Sequence, residues 1–180
     1  MAYLGGQAAA EQAIATSRPP PSMEAEAFRL AMREFASGVA IVAAGHGDGR
    51  SGCTATSLCS LSLEPPTLIV CLARASATLA TLRAEGAFGL SLLAGDDADL
   101  ADRYAGRSGL RGAARFAGRD WTNLSTGAPL LLGAAAVIDC EVEEIVERHT
   151  HAVVIGRVVA ARARGGRPLL HWRGQSAPLR

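Results

Sequence analysis

Residues 52–66, GCTATSLCSLSLEPP, followed by the apolar run TLIVCL of residues 67–72, decide how this chain is read. Thr54, Thr56, Ser57, Ser60 and Ser62 crowd hydroxyls into a short stretch that then stops at Pro65-Pro66, which suits a typical core strand poorly. Such a segment can lie against a polar ligand. Small residues let the backbone come close, while Ser and Thr add donors and acceptors to the main-chain N–H groups. The same composition also describes an ordinary loop between two strands, so the flanking segments must decide.

Upstream, Val39-Ala40-Ile41-Val42-Ala43-Ala44 reads as a buried strand, and the glycine-laden residues 45–50 as a hairpin turn with His46 exposed at its tip. Before it, Phe28, Met32 and Phe35 recur at helical spacing over residues 24–35, with acidic residues in the first turn and Ser22 as N-cap candidate; Gly38 ends the segment. Residues 1–22 are expected to form a mobile arm outside the core. Downstream, residues 67–72 read as a strand. A helix is expected over 76–85, capped by Ser76 and ended by Gly86, followed by a strand over 88–93 and a helix over 96–105. Residues 107–118 are rich in Gly and Arg with little periodicity, and read as a long functional or mobile loop. Strands are expected over 134–144, 151–160 and 168–172, before a frayed end. This gives one domain over 23–175 and a tail over 176–180. Strands outnumber helices and follow one another without regular helical crossovers. The fold class is therefore mainly β, an antiparallel barrel with peripheral helices and not a doubly wound parallel sheet.

With 180 residues, 49% hydrophobic and 19% charged, the chain has the makings of one globular domain. A net charge of +1 supplies no concentrated basic surface, so neither nucleic acid nor an anionic membrane is expected as partner. Cys53, Cys59, Cys71 and Cys140 form no CxxC pair and read as small packing residues in a reducing cytoplasm. No apolar run approaches the ~20 residues of a spanning helix, and no secretory signal is expected at the start. There is no GxGxxG, Walker A, HExxH or GxSxG motif, so a nucleotide would be held without those devices. His149 and His151 would share one side of a strand, but with no third ligand at suitable spacing they read as a solvent-facing pair, and no metal is expected.

The order of segments resembles the flavin reductase family, small FMN- or FAD-using reductases with a split-barrel flavin-binding fold that serve two-component monooxygenases. The resemblance runs from about residue 26 to 173. It rests on Phe28-x-x-Ala31-Met32-Arg33-x-Phe35-x-x-Gly38-Val39, on Gly52-x-Thr54-x-Thr56-Ser57-x-x-Ser60-x-Ser62-x-x-Pro65-Pro66, and on Cys71-Leu72-Ala73-Arg74-Ala75-Ser76-x-Thr78. Further matches are Arg115-Phe116, Trp121, Ala128-Pro129-Leu130, Cys140-Glu141-Val142, His151-x-x-x-x-Gly156-x-Val158 and Pro168-Leu169-Leu170.

By that resemblance the fold is an antiparallel Greek-key split barrel, and the residues expected to bind cofactor are Thr54, Ala55, Thr56, Ser57, Ser60, Ala73, Arg74, Ala75, Ser76, Thr78 and Phe116. Residues 54–57 would lie along the isoalloxazine ring and ribityl chain, while Ser60 and residues 73–78 would hold the ribityl and phosphate end. His151 falls where the family places a histidine near flavin and nicotinamide, and is the expected catalytic residue. The carboxylate that often precedes that histidine is absent, since His149 and Thr150 stand there, and a frequent asparagine is Ala73. The resemblance implies an NAD(P)H:flavin oxidoreductase, using NADH or NADPH to reduce FMN or FAD for a separate oxygenase, and a homodimer. Two alternatives stay open: a protein with tightly bound FMN that reduces another small substrate, and a non-catalytic flavin-binding protein.

Overall fold

The computed structural model describes residues 23–179. They divide into two compact units, split between Glu34 and Phe35. In the first, helix α1 (Ala25–Met32) carries Glu26 in its first turn and Arg29 in its last, and Arg29 pairs with Glu26 three residues away. It is shorter than the expected 24–35 and buries no residue; Phe28 is 58% exposed and Met32 48%. Glu24 occupies the N-cap position without a side-chain bond. The expected Ser22 cap and the expected arm over 1–22 lie outside the described residues.

The second unit is built on a seven-stranded antiparallel sheet. Its strands are β2 (Ala40–Ala44), β3 (Ser51–Ala55), β4 (Leu58–Leu63), β5 (Pro66–Ala73), β6 (Ala87–Leu92), β9 (Ala136–Arg148) and β10 (His151–Ala163), in the order β3-β2-β6-β9-β10-β5-β4. Short strands β1 (Ser37–Gly38), β11 (Leu169–Trp172) and β12 (Gln175–Pro178) make a second sheet, and β7 (Trp121–Thr122) pairs with β8 (Leu130–Leu131). This is the mainly β, antiparallel class expected. The decisive stretch is resolved in an unanticipated way. Residues 52–66 are two strands at opposite edges of one sheet, β3 at the first edge and β4 at the last, joined through Thr56-Ser57. That two-residue joint carries the chain from edge to edge and turns an open sheet into a split barrel.

Period-two alternation explains why β2 is apolar at every position. Ala40, Val42 and Ala44 point into the barrel with Val70, Leu72, Phe88, Leu90, Cys140 and Val154. Ile41 and Ala43 face a second core with Leu93, Leu100, Tyr104, Phe116, Leu130 and Leu169. Each strand residue is buried on its own side, so the run reads as continuous hydrophobicity.

Helix α2 (Ala77–Glu85) begins where Ser76 Oγ accepts a bond from Leu79 N at 3.1 Å, and ends at Gly86, whose φ of 66° places it in the left-handed region. It buries Thr78, Leu79 and Leu82. Helix α3 (Ala98–Tyr104) starts after Asp97, whose carboxylate accepts from Ala94 N at 3.2 Å and from Arg119 at 2.8 Å; it buries Leu100, Ala101 and Tyr104.

Three expectations are corrected. Residues 107–118 are not structureless, since a 3-10 turn spans Gly112–Phe116. The end expected to fray forms β12, paired with β11 from Leu169↔Pro178 to Trp172↔Gln175. His149 does not share a strand face with His151: it sits in the two-residue turn between β9 and β10 with φ 48°, while His151 opens β10.

Candidate functional site

The N-terminus of α2 looks across a cleft of about 450 Å³ toward the 107–118 loop. Strand β3 supplies Ser51 and Cys53 to this cleft, α2 and its cap supply Ser76 and Thr78, and the loop supplies Arg111 and Arg115. Ser51 Oγ and Thr78 Oγ1 lie 3.1 Å apart and hold β3 to the first turn of the helix. Burial pushes the Cys53 thiol up, opposed by its bond to Thr78 and by the nearby Arg115 charge.

The charge pattern is one-sided. Two guanidinium groups line the cleft, no carboxylate does, and the first turn of α2 holds no acidic residue. Ser76 uses its side chain on Leu79 N, and among the described residues the amides of Ala77 and Thr78 have no partner at the positive end of the helix dipole. This donor set, with helix amides, hydroxyls and arginine, fits a phosphate group.

Several residues expected at the site lie here or beside it. Ala75, Ser76 and Thr78 line the cleft. Ala73 pairs in register with His151, and Arg74 N donates to Thr150 O at 3.0 Å, so the end of β5 and the start of β10 form one edge. His151 is exposed there, and its Nδ1 lies 2.9 Å from Thr150 Oγ1. Thr54 donates to Ala101 O at 2.6 Å and Ser57 to Cys71 O at 2.8 Å. Those two hydroxyls tie down the joint between β3 and β4, where Ser57 O also accepts from Cys71 N at 3.2 Å. Thr56 is half-buried at the joint, and Ala55 is buried in the barrel core.

Other expected residues lie elsewhere. The Arg74 side chain leaves the cleft for Glu147 at 2.7 Å and His149 O at 3.2 Å. Glu147 also takes Arg83 at 2.5 Å, and the Arg83 bond, with the Arg74 charge, holds its carboxyl below the ordinary range. Ser60 lies in a separate apolar slot of about 410 Å³ with Leu58, Leu68, Leu92, Ile138 and Val158. Phe116 is 3% exposed, packed edge-on to Tyr104 at 5.4 Å and against Trp121 at 4.7 Å, with Arg50 over its ring at 4.7 Å. It supports the loop from behind. Ser51, Arg111 and Arg115 are the cleft residues that sequence reasoning missed. For the two arginines a signal is present, since Arg107, Arg111 and Arg115 recur every four residues in a glycine-rich segment with no acidic residue.

Comparison with known proteins settles the class. Residues 32–180 match the family model described as flavin reductase like domain, and the chain belongs to that family. It is 42% identical over 156 residues to a protein named FMN reductase (NADH) RutF 2 from Methylorubrum extorquens, covering 86% of this chain and 90% of that one. Among solved structures, it resembles BorF, the flavin reductase component of a bacterial two-component tryptophan halogenase (34% identity, TM-score 0.79, covering 87% and 98% of the two chains). It also resembles the NADH:FAD oxidoreductase SgcE6 of Streptomyces globisporus C-1027, solved with NAD and FAD fragments (25% identity, TM-score 0.80, covering 91% and 98%).

Proposed function

We propose that this chain is an NAD(P)H-dependent flavin reductase that delivers reduced FMN or FAD to a separate flavin-dependent oxygenase. The observation that carries this reading is the carboxylate-free cleft at the start of α2, lined by Arg111 and Arg115, in a chain of the flavin reductase family. Relatives named FMN reductase (NADH) and a relative named as the reductase subunit HsaB of a flavin-dependent monooxygenase support NADH as donor and an oxygenase as recipient.

In this reading the amides of Ala77 and Thr78, the Ser76 and Thr78 hydroxyls and Arg111 hold the phosphate. The main chain of residues 54–57, braced by Ala101 O and Cys71 O, runs along the ribityl chain and ring. A bound flavin supplies the hydride acceptor. The protein's part is to place the two rings face to face and to exclude water. His151 sits beside Ala73 at the barrel edge with Nδ1 fixed by Thr150, so its Nε2 is available to orient the nicotinamide carboxamide or to steady negative charge. No side chain is required as nucleophile.

Edge strand β4 exposes Leu61 at 51% and Leu63 at 81%, which supports a homodimer as the working unit. Among the described residues no helix is long and apolar enough to cross a membrane, and a cytoplasmic setting fits the four unpaired cysteines. The test is direct: protein, NADH or NADPH, and FMN or FAD are mixed in air and the loss of reduced nicotinamide is followed. Turnover that depends on added flavin is expected. Its absence with every donor and flavin pair overturns the reading.

A further inference from the structure

We infer that Arg115 is a positioning residue: its guanidinium latches the 107–118 loop against β3 and α3 and thereby holds Arg111 over the phosphate end of the bound flavin. The inference rests on the flavin reading of the cleft given above.

Among the described residues Arg115 has no carboxylate partner; its bonds go to three backbone carbonyls. Nη1 donates to Gly52 O of β3 at 2.9 Å and to Tyr104 O at the end of α3 at 3.3 Å, and Nε donates to Leu110 O within the loop at 2.8 Å. One planar group thus ties together an edge strand, a helix end and the segment immediately before Arg111. A guanidinium can do this because its donors project as a rigid fork, whereas an ammonium is a single point of attachment. Around it the loop has little regular structure: a 3-10 turn, and glycines at 106, 109 and 112 with φ of 87°, 75° and 52°. Chain of that kind keeps a fixed path only where specific contacts impose it. Phe116, buried beneath Arg50, pins the far end of the turn, and beside the local bonds from Ala114 N to Arg111 O and from Leu110 N to Ser108 Oγ, the Arg115 fork is the contact that ties the segment bearing Arg111 to β3.

Arg111 is what the latch presents. Its side chain lines the cleft, is exposed, and has no hydrogen bond or ion pair among the described residues. An unneutralised guanidinium held opposite a helix N-terminus gains most from a dianionic phosphate and little from an uncharged ligand. Arg115 also keeps its full charge at the cleft wall, because carbonyls satisfy its donors without cancelling it.

The test compares FMN with riboflavin, which carries the same ring and ribityl chain but no phosphate. In the full chain, Arg115→Lys keeps the charge and removes the fork. It is expected to raise KM for FMN and its dissociation constant, read by flavin fluorescence quenching, about tenfold, the scale of one charge-assisted hydrogen bond. Values for riboflavin are expected to shift less than twofold, and kcat at saturating FMN to change by less than KM does. Arg111→Gln is expected to give the same FMN-selective loss, and the double variant to be no worse than about twofold beyond Arg115→Lys, because both changes remove one contact. Wild-type FMN affinity in Arg115→Lys, an equal loss with riboflavin, or fully multiplicative effects in the double variant would each overturn the latch while leaving the reductase reading intact. Wild-type protein that turns over no flavin with either nicotinamide, FAD included, would overturn both.

Discussion

At the scale of single residues, Tyr104 is the side chain whose environment is least satisfied. It is 1% exposed, and its hydroxyl is the one buried side-chain polar atom without a partner among the described residues. Its ring packs so close to β3 that a Cβ on Gly52 would lie 2.7 Å from Cε1, which explains a glycine in the middle of that strand. Burial pushes the Tyr104 phenol well above 10, although Arg103, Arg50 and Arg115 all pull the other way. Tyr104→Phe keeps the aromatic packing and removes the orphan hydroxyl, so its stability is expected to range from unchanged to about 1 kcal/mol higher. The sign at alkaline pH follows from the raised folded value. The unfolded phenol gives up its proton first, so the wild type loses stability as pH climbs past 10 and the variant loses less. Urea melts of both proteins at pH 7 and pH 10.5 check this. A variant more than about 1 kcal/mol less stable at neutral pH would mean that the hydroxyl has a partner.

At the scale of elements, the start of α2 serves the fold and, in the function proposed, the ligand as well. Ser76→Ala removes the acceptor for Leu79 N and is expected to cost about 1 kcal/mol of stability, together with a several-fold weaker hold on FMN. Thermal melts with and without FMN separate the two effects; equal losses with riboflavin and FMN would confine Ser76 to capping. This element was legible from sequence because its signals are local: a serine cap, inward leucines and a terminal glycine read the same in isolation as in the fold. The sheet strands were legible for the same reason, to within a few residues at each end. The partition of 52–66 between two sheet edges was not. Nothing local marks Thr56-Ser57 as a corner, because the hydroxyls that hold it bond to Ala101 and Cys71, partners set by tertiary packing. The same cause hides the protein partners of Arg74 and Phe116. Each has a plausible ligand chemistry, and each is claimed instead by a neighbour distant in sequence, Glu147 for the one and Tyr104 with Trp121 for the other. The four-residue recurrence of Arg107, Arg111 and Arg115 marks the arginine loop in the sequence, but it does not reveal which guanidinium turns inward.

At the scale of the whole molecule, the proposed homodimer is expected to run at twice the 18.5 kDa chain mass in sedimentation equilibrium. Leu61→Asp with Leu63→Asp, on the exposed face of β4, is expected to shift it toward monomer; an unaltered mass would place the contact elsewhere. Strand β10 has a different significance. It hydrogen-bonds to β9 on one side and to β5 on the other, and without it the seven strands separate into β3-β2-β6-β9 and β5-β4. Its partner on one side ends at Ala73, yet β10 itself begins only at His151. A ribosome must therefore deliver the whole segment between Ala73 and His151 before the keystone arrives, and until then the nascent polypeptide has no hydrogen-bonded bridge from β9 to β5.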